Sequence, residues 1–255
     1  AQGQDLIFHL AAHLGGIAYN ISHPAILLYQ NLLPTINIIE AAKQVDVDRL
    51  LIVSSACVYP RFCIIPTPET EGFKDDPEPT NFGYGWSKRI AEILAKTYHQ
   101  EFGLKVGIVR PYNVYGPRDN FDPKQSHVIP ALVKRICDGE NPLIVWGDGS
   151  ATRSFIYVSD IVKGMLSALE VYPQPDPINF GTQEEISIKN LVKLIIRLTG
   201  VNTTIKFDTK KPNGQPRRNC DSTKAEKILH FKAQTTLIQG LPKVISYYRQ
   251  YEQKK

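Results

Sequence analysis

Apolar residues fall into two alternating rhythms along the first half of the chain. Continuous apolar runs at 5–10, 49–54 and 105–110 read as strands buried on both faces, the last one ended by Pro111. Between them, apolar residues recur at helical spacing. Leu28, Leu32, Ile36, Ile39 and Ala42 predict a helix over 24–45, and Ile90, Ala91, Leu94 and Ala95 predict one over 81–102. Pro34 is expected to kink or split the first helix. Gly15 and Gly16 read as a small-residue loop, and 59–79, with five prolines, as a long loop of the kind that carries function or moves. Further helices are predicted over 126–138, 159–170, 187–198, 222–229 and 236–251. Short strands are predicted near 143–146, 177–180 and 203–207, and a basic loop over 210–218.

Strands that are apolar throughout and alternate with helices imply a parallel sheet covered on both faces, hence an α/β fold. The second half mixes short elements and reads as a smaller lobe. The division is placed at 1–116 and 117–255, with sheet strands returning near 153–180.

Composition narrows the function classes. A chain of 255 residues that is 42% hydrophobic can bury a core without a metal or disulfide staple. Charged residues at 22% and aromatics at 9% exclude a disordered chain. The four cysteines, Cys57, Cys63, Cys137 and Cys220, form no CxxC pair, which argues against a disulfide scaffold and a zinc ribbon and for a reducing compartment. No metal site is expected. No apolar run approaches the roughly 20 residues that span a bilayer, and residues 1–5 lack the charged and apolar regions of a signal peptide. A cytoplasmic protein without a membrane partner is expected. The net charge of +5 is mild, and no Lys/Arg block with interleaved aromatics points to nucleic acid.

Three stretches could carry chemistry. In Tyr84-Gly-Trp-Ser-Lys88 the spacing puts a phenol and an ammonium on one helix face. The ammonium is expected to lower the phenol's pKa and make it a usable acid or base. Ser54-Ser-Ala-Cys-Val-Tyr-Pro60 follows a buried strand, and Arg110-Pro-Tyr-Asn-Val-Tyr-Gly-Pro117 ends another. Ligands bind beyond the carboxyl ends of parallel strands.

Taken together, these stretches resemble the extended short-chain dehydrogenase/reductases of the NAD-dependent epimerase/dehydratase family that act on nucleotide sugars. His9-Leu-Ala-Ala12, Asn37, the run from Gly116 to Leu132, the run from Trp146 to Asp160, and Lys211-Pro-Asn-Gly-Gln-Pro-Arg-Arg218 carry the same resemblance. It implies a Rossmann-like doubly wound parallel sheet with a smaller C-terminal α/β substrate lobe. Tyr84 and Lys88 match the family's catalytic pair, and Ser55 its catalytic serine, partner of the sugar's C4 oxygen. Cys57 and His127 match the acid/base residues that epimerise the carbons flanking a 4-keto group, whose protons are acidic. A thiol and an imidazole suit that task. Ala11, Ala12, Val53, Ser54, Ser55, Ala56, Tyr84, Lys88, Pro111, Tyr112, Asn113, Val114 and His127 match positions that line the cofactor. Arg135, Trp146, Arg153 and Asn213 match substrate contacts, with Arg153 at the diphosphate.

The resemblance implies a nucleotide-diphosphate sugar as substrate, here a GDP-4-keto-6-deoxymannose that is epimerised and reduced. NADP is the expected cofactor, NAD the alternative, and a homodimer through 24–45 and 81–102 the expected assembly. Two alternatives stand beside it: another nucleotide-sugar epimerase, such as a 3,5-epimerase of GDP-mannose, and a chain that binds without catalysing. The sequence departs from the family at Asn213, where an acid is usual, and at Ala56, where a second serine is usual. It contains no GxxGxxG or GxGxxG fingerprint. The run 5–10 would then be the fourth strand of the family fold, about 60 to 70 residues into it at roughly 30 residues per βα unit. The sheet is therefore expected to be incomplete at its N-terminus.

Overall fold

The computed structural model describes residues 1–122, 125–211 and 215–253. Strands β1 (Leu6–His9), β2 (Arg49–Val53) and β3 (Val106–Pro111) are the three apolar runs. Helix α1 (Ile17–Ser22) and helix α2 (Pro24–Gln44) link the first two, and α3 (Phe82–Phe102) links the second and third. After β3 come β4 (Val114–Tyr115), α4 (Val128–Cys137), β5 (Leu143–Trp146), β6 (Thr152–Ser154), β7 (Ile156–Tyr157), α5 (Val158–Val171) and β8 (Ile178–Phe180). The chain continues through β9 (Glu185–Ser187), α6 (Ile188–Thr199), β10 (Ile205–Asp208), β11 (Arg217–Arg218), α7 (Thr223–Leu229) and α8 (Leu237–Tyr247).

The main sheet is parallel, in the order β1-β2-β3-β8. Its strands divide their side chains between two faces, as period two requires. Leu50 and Ile52 of β2, with Val106 and Ile108 of β3, pack under Ile39 and Ala42 of α2 and Ala91 and Ala95 of α3. Leu51 and Val109 point the other way, into Ile161, Ala168 and Leu169 of α5 and Ala225 and Leu229 of α7. Helices on both faces explain why the strands carry no polar alternation, and the fold is Rossmann-like. β8 lies beyond 117 in sequence yet belongs to this sheet.

A second core gathers Ile129, Leu132, Val133 and Ile136 of α4 with Leu143 and Val145 of β5, Leu191, Val192 and Ile195 of α6, and Leu241 and Val244 of α8. β5 pairs with β10, β4 with β7, and β6 sits between β11 and β9. Helix ends follow local chemistry. Thr236 and Gln239 close a capping box on α8, and Gly103, at φ +72°, ends α3 in the left-handed region.

Several expectations need correction. Pro34 neither ends nor splits α2, which runs unbroken from Pro24 to Gln44. Pro34 is exposed, so the carbonyl it leaves without a donor can bond water, while Asn31, Thr35 and Ile39 form the buried side of the helix. The glycine loop runs directly into α1, held by a bond from the Gly15 amide to Asn20 Oδ1 at 3.1 Å. The basic loop contains β11, and the last helix closes at Tyr247 into a π turn over Tyr248–Glu252. On α3, Ile90 and Leu94 are only half-buried, whereas Lys88, Arg89 and Glu92 are buried.

Candidate active site

The carboxyl ends of β1, β2 and β3 lie along one edge of the sheet, because the three are parallel and in register. Ala11 and Ala12 follow β1 and are exposed. Val53, Ser54, Ser55 and Ala56 follow along β2. Pro111, Tyr112, Asn113 and Val114 lead from β3 into β4, with Asn113 Nδ2 donating to the Ser154 carbonyl at 2.8 Å. Tyr112 is buried beside Tyr59, and burial holds its phenol well above the usual range.

At the end of β2 the chain turns sharply. Ser55 caps a 3₁₀ turn over Ala56–Val58, its hydroxyl accepting from the Cys57 amide at 3.1 Å. The first turn of α3 rests on this 3₁₀ turn, because a Cβ on Gly85 would stand 2.5 Å from the Cys57 carbonyl oxygen. That close approach needs glycine. It places Tyr84 within hydrogen-bonding reach of Ser55 and beside Cys57. One turn on, Lys88 sends its ammonium to the Val53 carbonyl at 2.8 Å, with Nζ 5.5 Å from the centre of the Tyr84 ring. The structure thus assembles Ser55, Cys57, Tyr84 and Lys88 from two elements.

The electrostatics correct one expectation. The Tyr84 phenol is pushed up, not down. Burial is the largest cause, Cys57 adds to it, and the hydrogen bond to Ser55 opposes both. Lys88 lies over the ring, and its ammonium bonds a backbone carbonyl instead of the phenol oxygen. Burial in turn lowers Lys88 to about 8, opposed by Cys57 and Glu92. Tyr84 is therefore held as a neutral phenol at physiological pH, with a proton it could give and no phenolate to accept one.

The other expected residues lie around the second core. His127 sits at the N-terminus of α4, exposed, with Asp119 as the charge beside it. Among the described residues it makes no hydrogen bond to Tyr84, Lys88, Ser55 or Cys57. Arg135 is engaged within its own lobe: it grips Glu140 through Nε at 2.6 Å and Nη2 at 2.5 Å, and reaches the Ile144 carbonyl. Trp146 is 54% exposed at the end of β5, with the Lys211 ammonium 5.5 Å from its ring centre. Asn213 lies outside the described residues.

Arg153 has a neighbour that sequence reasoning missed. β6 and β11 pair in parallel with Arg153 opposite Arg218, and both side chains are half-buried. Burial, then Arg218, bring Arg153 down to about 10, with Glu78 opposing. Arg218 also donates to the Ala56 carbonyl at 2.9 Å, which ties this cationic pair to the turn that holds Cys57. Arg218 thus lowers the basicity of Arg153, and two adjacent guanidiniums are the chemistry that suits a polyanion. The only sequence signal was a basic residue in the 210–218 segment. Its register against Arg153 is a property of the fold.

An ammonium has three donors, and the Lys88 bond to Val53 uses one. A buried cation of this kind at the carboxyl edge of a parallel sheet suits the ribose hydroxyls of a nicotinamide cofactor. Among the described residues no group of three or more His, Cys, Asp or Glu is arranged to hold a metal ion, and no helix is long and apolar enough to cross a membrane.

Residues 1–181 match the NAD dependent epimerase/dehydratase family. The chain is 35% identical over 237 residues to a GDP-L-fucose synthase of Escherichia coli (strain K12), covering 88% of this chain and 74% of that protein. It is 33% identical over 250 residues to a dTDP-4-dehydro-6-deoxy-D-allose reductase of Streptomyces bikiniensis, covering 97% and 75%. Among solved structures it superposes on a UDP-glucose 4-epimerase of Thermotoga maritima, with UDP-glucose, at TM-score 0.85 and 28% identity, covering 96% and 77%.

Proposed function

The chain belongs to the NAD dependent epimerase/dehydratase family, and on that premise we propose that it epimerises and reduces GDP-4-keto-6-deoxy-D-mannose to GDP-L-fucose with NADPH. The observation that carries this reading is the assembly of Ser55, Cys57, Tyr84 and Lys88 where β2 meets α3. The Arg153–Arg218 pair takes the substrate diphosphate. Ser55 and Tyr84 meet the C4 oxygen, and the neutral phenol gives it a proton. A nicotinamide cofactor, when bound, would supply the hydride that C4 takes up. Lys88 holds the cofactor ribose, and the strand ends at Val53–Ala56 and Pro111–Val114 form the wall beside it. Cys57 and His127 move the protons at the two carbons flanking the ketone.

The similarity to a dTDP-sugar reductase supports a second reading, reduction of a 4-keto sugar without epimerisation. Exposed apolar residues along α2 and α3, including Ile26, Leu33, Ile36 and Ile93, support a homodimer through these helices. The test mixes the protein with NADPH and the GDP-4-keto sugar. Nucleotide oxidation at 340 nm and a product with the L-fuco configuration by NMR are expected. A D-configured product selects the second reading, and no oxidation refutes both.

A further inference from the structure

Behind this centre, α3 carries another charged side chain toward the sheet. Glu92 lies one helical turn past Lys88 and is 4% exposed. Arg110 on β3, 2% exposed, donates from Nε to Oε1 at 2.8 Å and from Nη2 to Oε2 at 2.7 Å. The Ser54 hydroxyl donates to Oε1 as well. Nη1 of Arg110 reaches the Tyr59 hydroxyl at 3.0 Å and the Glu69 carbonyl at 2.8 Å, and Tyr59 donates to Asn179 Oδ1 at 2.5 Å. The carboxylate is therefore held by three hydrogen bonds from two residues, and its guanidinium partner is anchored in turn.

A buried ion pair is weak ground for stability, because desolvating both charges offsets their attraction. Its position gives this one another use. Lys88 bonds the Val53 carbonyl and Glu92 bonds the Ser54 hydroxyl, so residues one helical turn apart hold consecutive residues of β2 and its end. The next residue is Ser55. The helix that presents Tyr84 and the strand end that presents Ser55 and Cys57 are cross-linked twice where their side chains meet.

We propose that Glu92 is a positioning residue of the active site: clamped by Arg110 and accepting from Ser54, its carboxylate fixes the strand end that carries Ser55 against the helix that carries Tyr84 and Lys88, and sets the charge environment of Lys88. The inference rests on the roles proposed above for Ser55, Tyr84 and Lys88. Lys88 faces Tyr84 and Glu92 on α3, Cys57 on the turn after β2, and His9 on β1. Glu92 faces Lys88 and Arg89 on its own helix, Arg110 on β3 and Tyr59 in the loop. Of the groups around Lys88, Cys57 and then Glu92 oppose the effect of burial, and Glu92 is the one locked to a guanidinium.

The test reads Lys88 itself, in the full chain without cofactor. Competitive acetic anhydride labelling across pH 6–11, resolved by peptide mass spectrometry, gives the titration midpoint of its amine. Wild type is expected near 8, Glu92→Gln at lower pH, and Glu92→Asp, which keeps the charge, close to wild type. Should Glu92→Gln fail to fold with Arg110 stranded, Glu92→Leu combined with Arg110→Met removes both charges and is expected to give a smaller shift in the same direction, because the guanidinium's repulsion of Lys88 goes with the carboxylate. A midpoint that stays near 8 in a folded variant lacking the carboxylate overturns the proposal. With a GDP-sugar as substrate, the alkaline limb of kcat/KM is expected to move to lower pH in Glu92→Gln. A wild-type chain that turns over no nucleotide sugar refutes the proposed function, and the labelling midpoint still decides the part played by Glu92.

Discussion

Replacing Lys88 with methionine is expected to abolish a rise in stability between pH 7 and pH 10 that the wild-type protein shows. Lys88 is 4% exposed, and its ammonium titrates at about 8, against 10.5 for an ordinary lysine. Between those two values the unfolded chain still holds a proton that the folded protein has released. Stability therefore climbs with pH across that window, and the penalty of burying the charge is full below it. A gap of this size is worth about 3 kcal/mol in total, most of which is relieved between pH 7 and pH 10. Methionine fills a similar volume without a charge, so it carries no such pH dependence. It also leaves the Val53 carbonyl without its donor, a cost of about 1–3 kcal/mol that does not vary with pH. Absolute stabilities at pH 7 are thus poor discriminators, and the difference in slope is the informative quantity. Urea unfolding followed by circular dichroism at pH 7, 8, 9 and 10 measures it, since other titrating groups cancel between the two proteins. Parallel profiles would refute the buried, charged lysine.

Other perturbations address the remaining parts of the site. Tyr84→Phe removes the proton donor and is expected to cut reduction about 10²- to 10⁴-fold with substrate affinity within a few-fold; an unchanged rate excludes Tyr84 as the acid. Cys57→Ser and His127→Asn are expected to slow solvent deuterium entry at the sugar carbons more than hydride transfer, and retained exchange in both removes their assignment. Arg218→Gln is expected to weaken GDP binding by calorimetry roughly 10- to 100-fold, the worth of a charge-assisted contact; equal affinity places the diphosphate elsewhere. Gly85→Ala puts a Cβ 2.5 Å from the Cys57 carbonyl and is expected to cost about 1–3 kcal/mol in denaturant unfolding, a loss that wild-type stability would contradict.

The sheet and its helices were legible because burial on both faces leaves no polar alternation in Arg49–Val53 or Val106–Pro111, and period-3.6 patterns lie between them. What stayed hidden was structure made by pairing and not by pattern. β4, β6, β7, β9 and β11 are two or three residues each, and each is a strand only because its partner is there. The Arg153–Arg218 register is of this kind. Arg110 did carry a signal, a charge inside a run the pattern would bury, but Glu92 lies off the apolar face that the pattern marks on α3, and their pairing is a property of the fold.

The motif Tyr84-Gly-Trp-Ser-Lys88 was also legible, while the ionisation of its tyrosine was not. Spacing of four residues fixes that a phenol and an ammonium share a face, but not where the ammonium points. It points at the Val53 carbonyl, and burial then dominates the phenol. This difference constrains the proposed chemistry. A neutral phenol can give a proton to the C4 oxygen as hydride arrives, but it cannot first take one from a neighbouring carbon. Any epimerisation must therefore find its base elsewhere. Cys57 stands half-buried beside Tyr84, whereas His127 lies across in the second lobe with Asp119. Under the proposed roles, an acid fixed between strand and helix, with its bases supplied separately, makes reduction the reaction that the sheet alone could carry. Epimerisation then depends on how the second lobe meets it, so exchange at the carbon served by His127 is expected to be the step most sensitive to changes in that lobe.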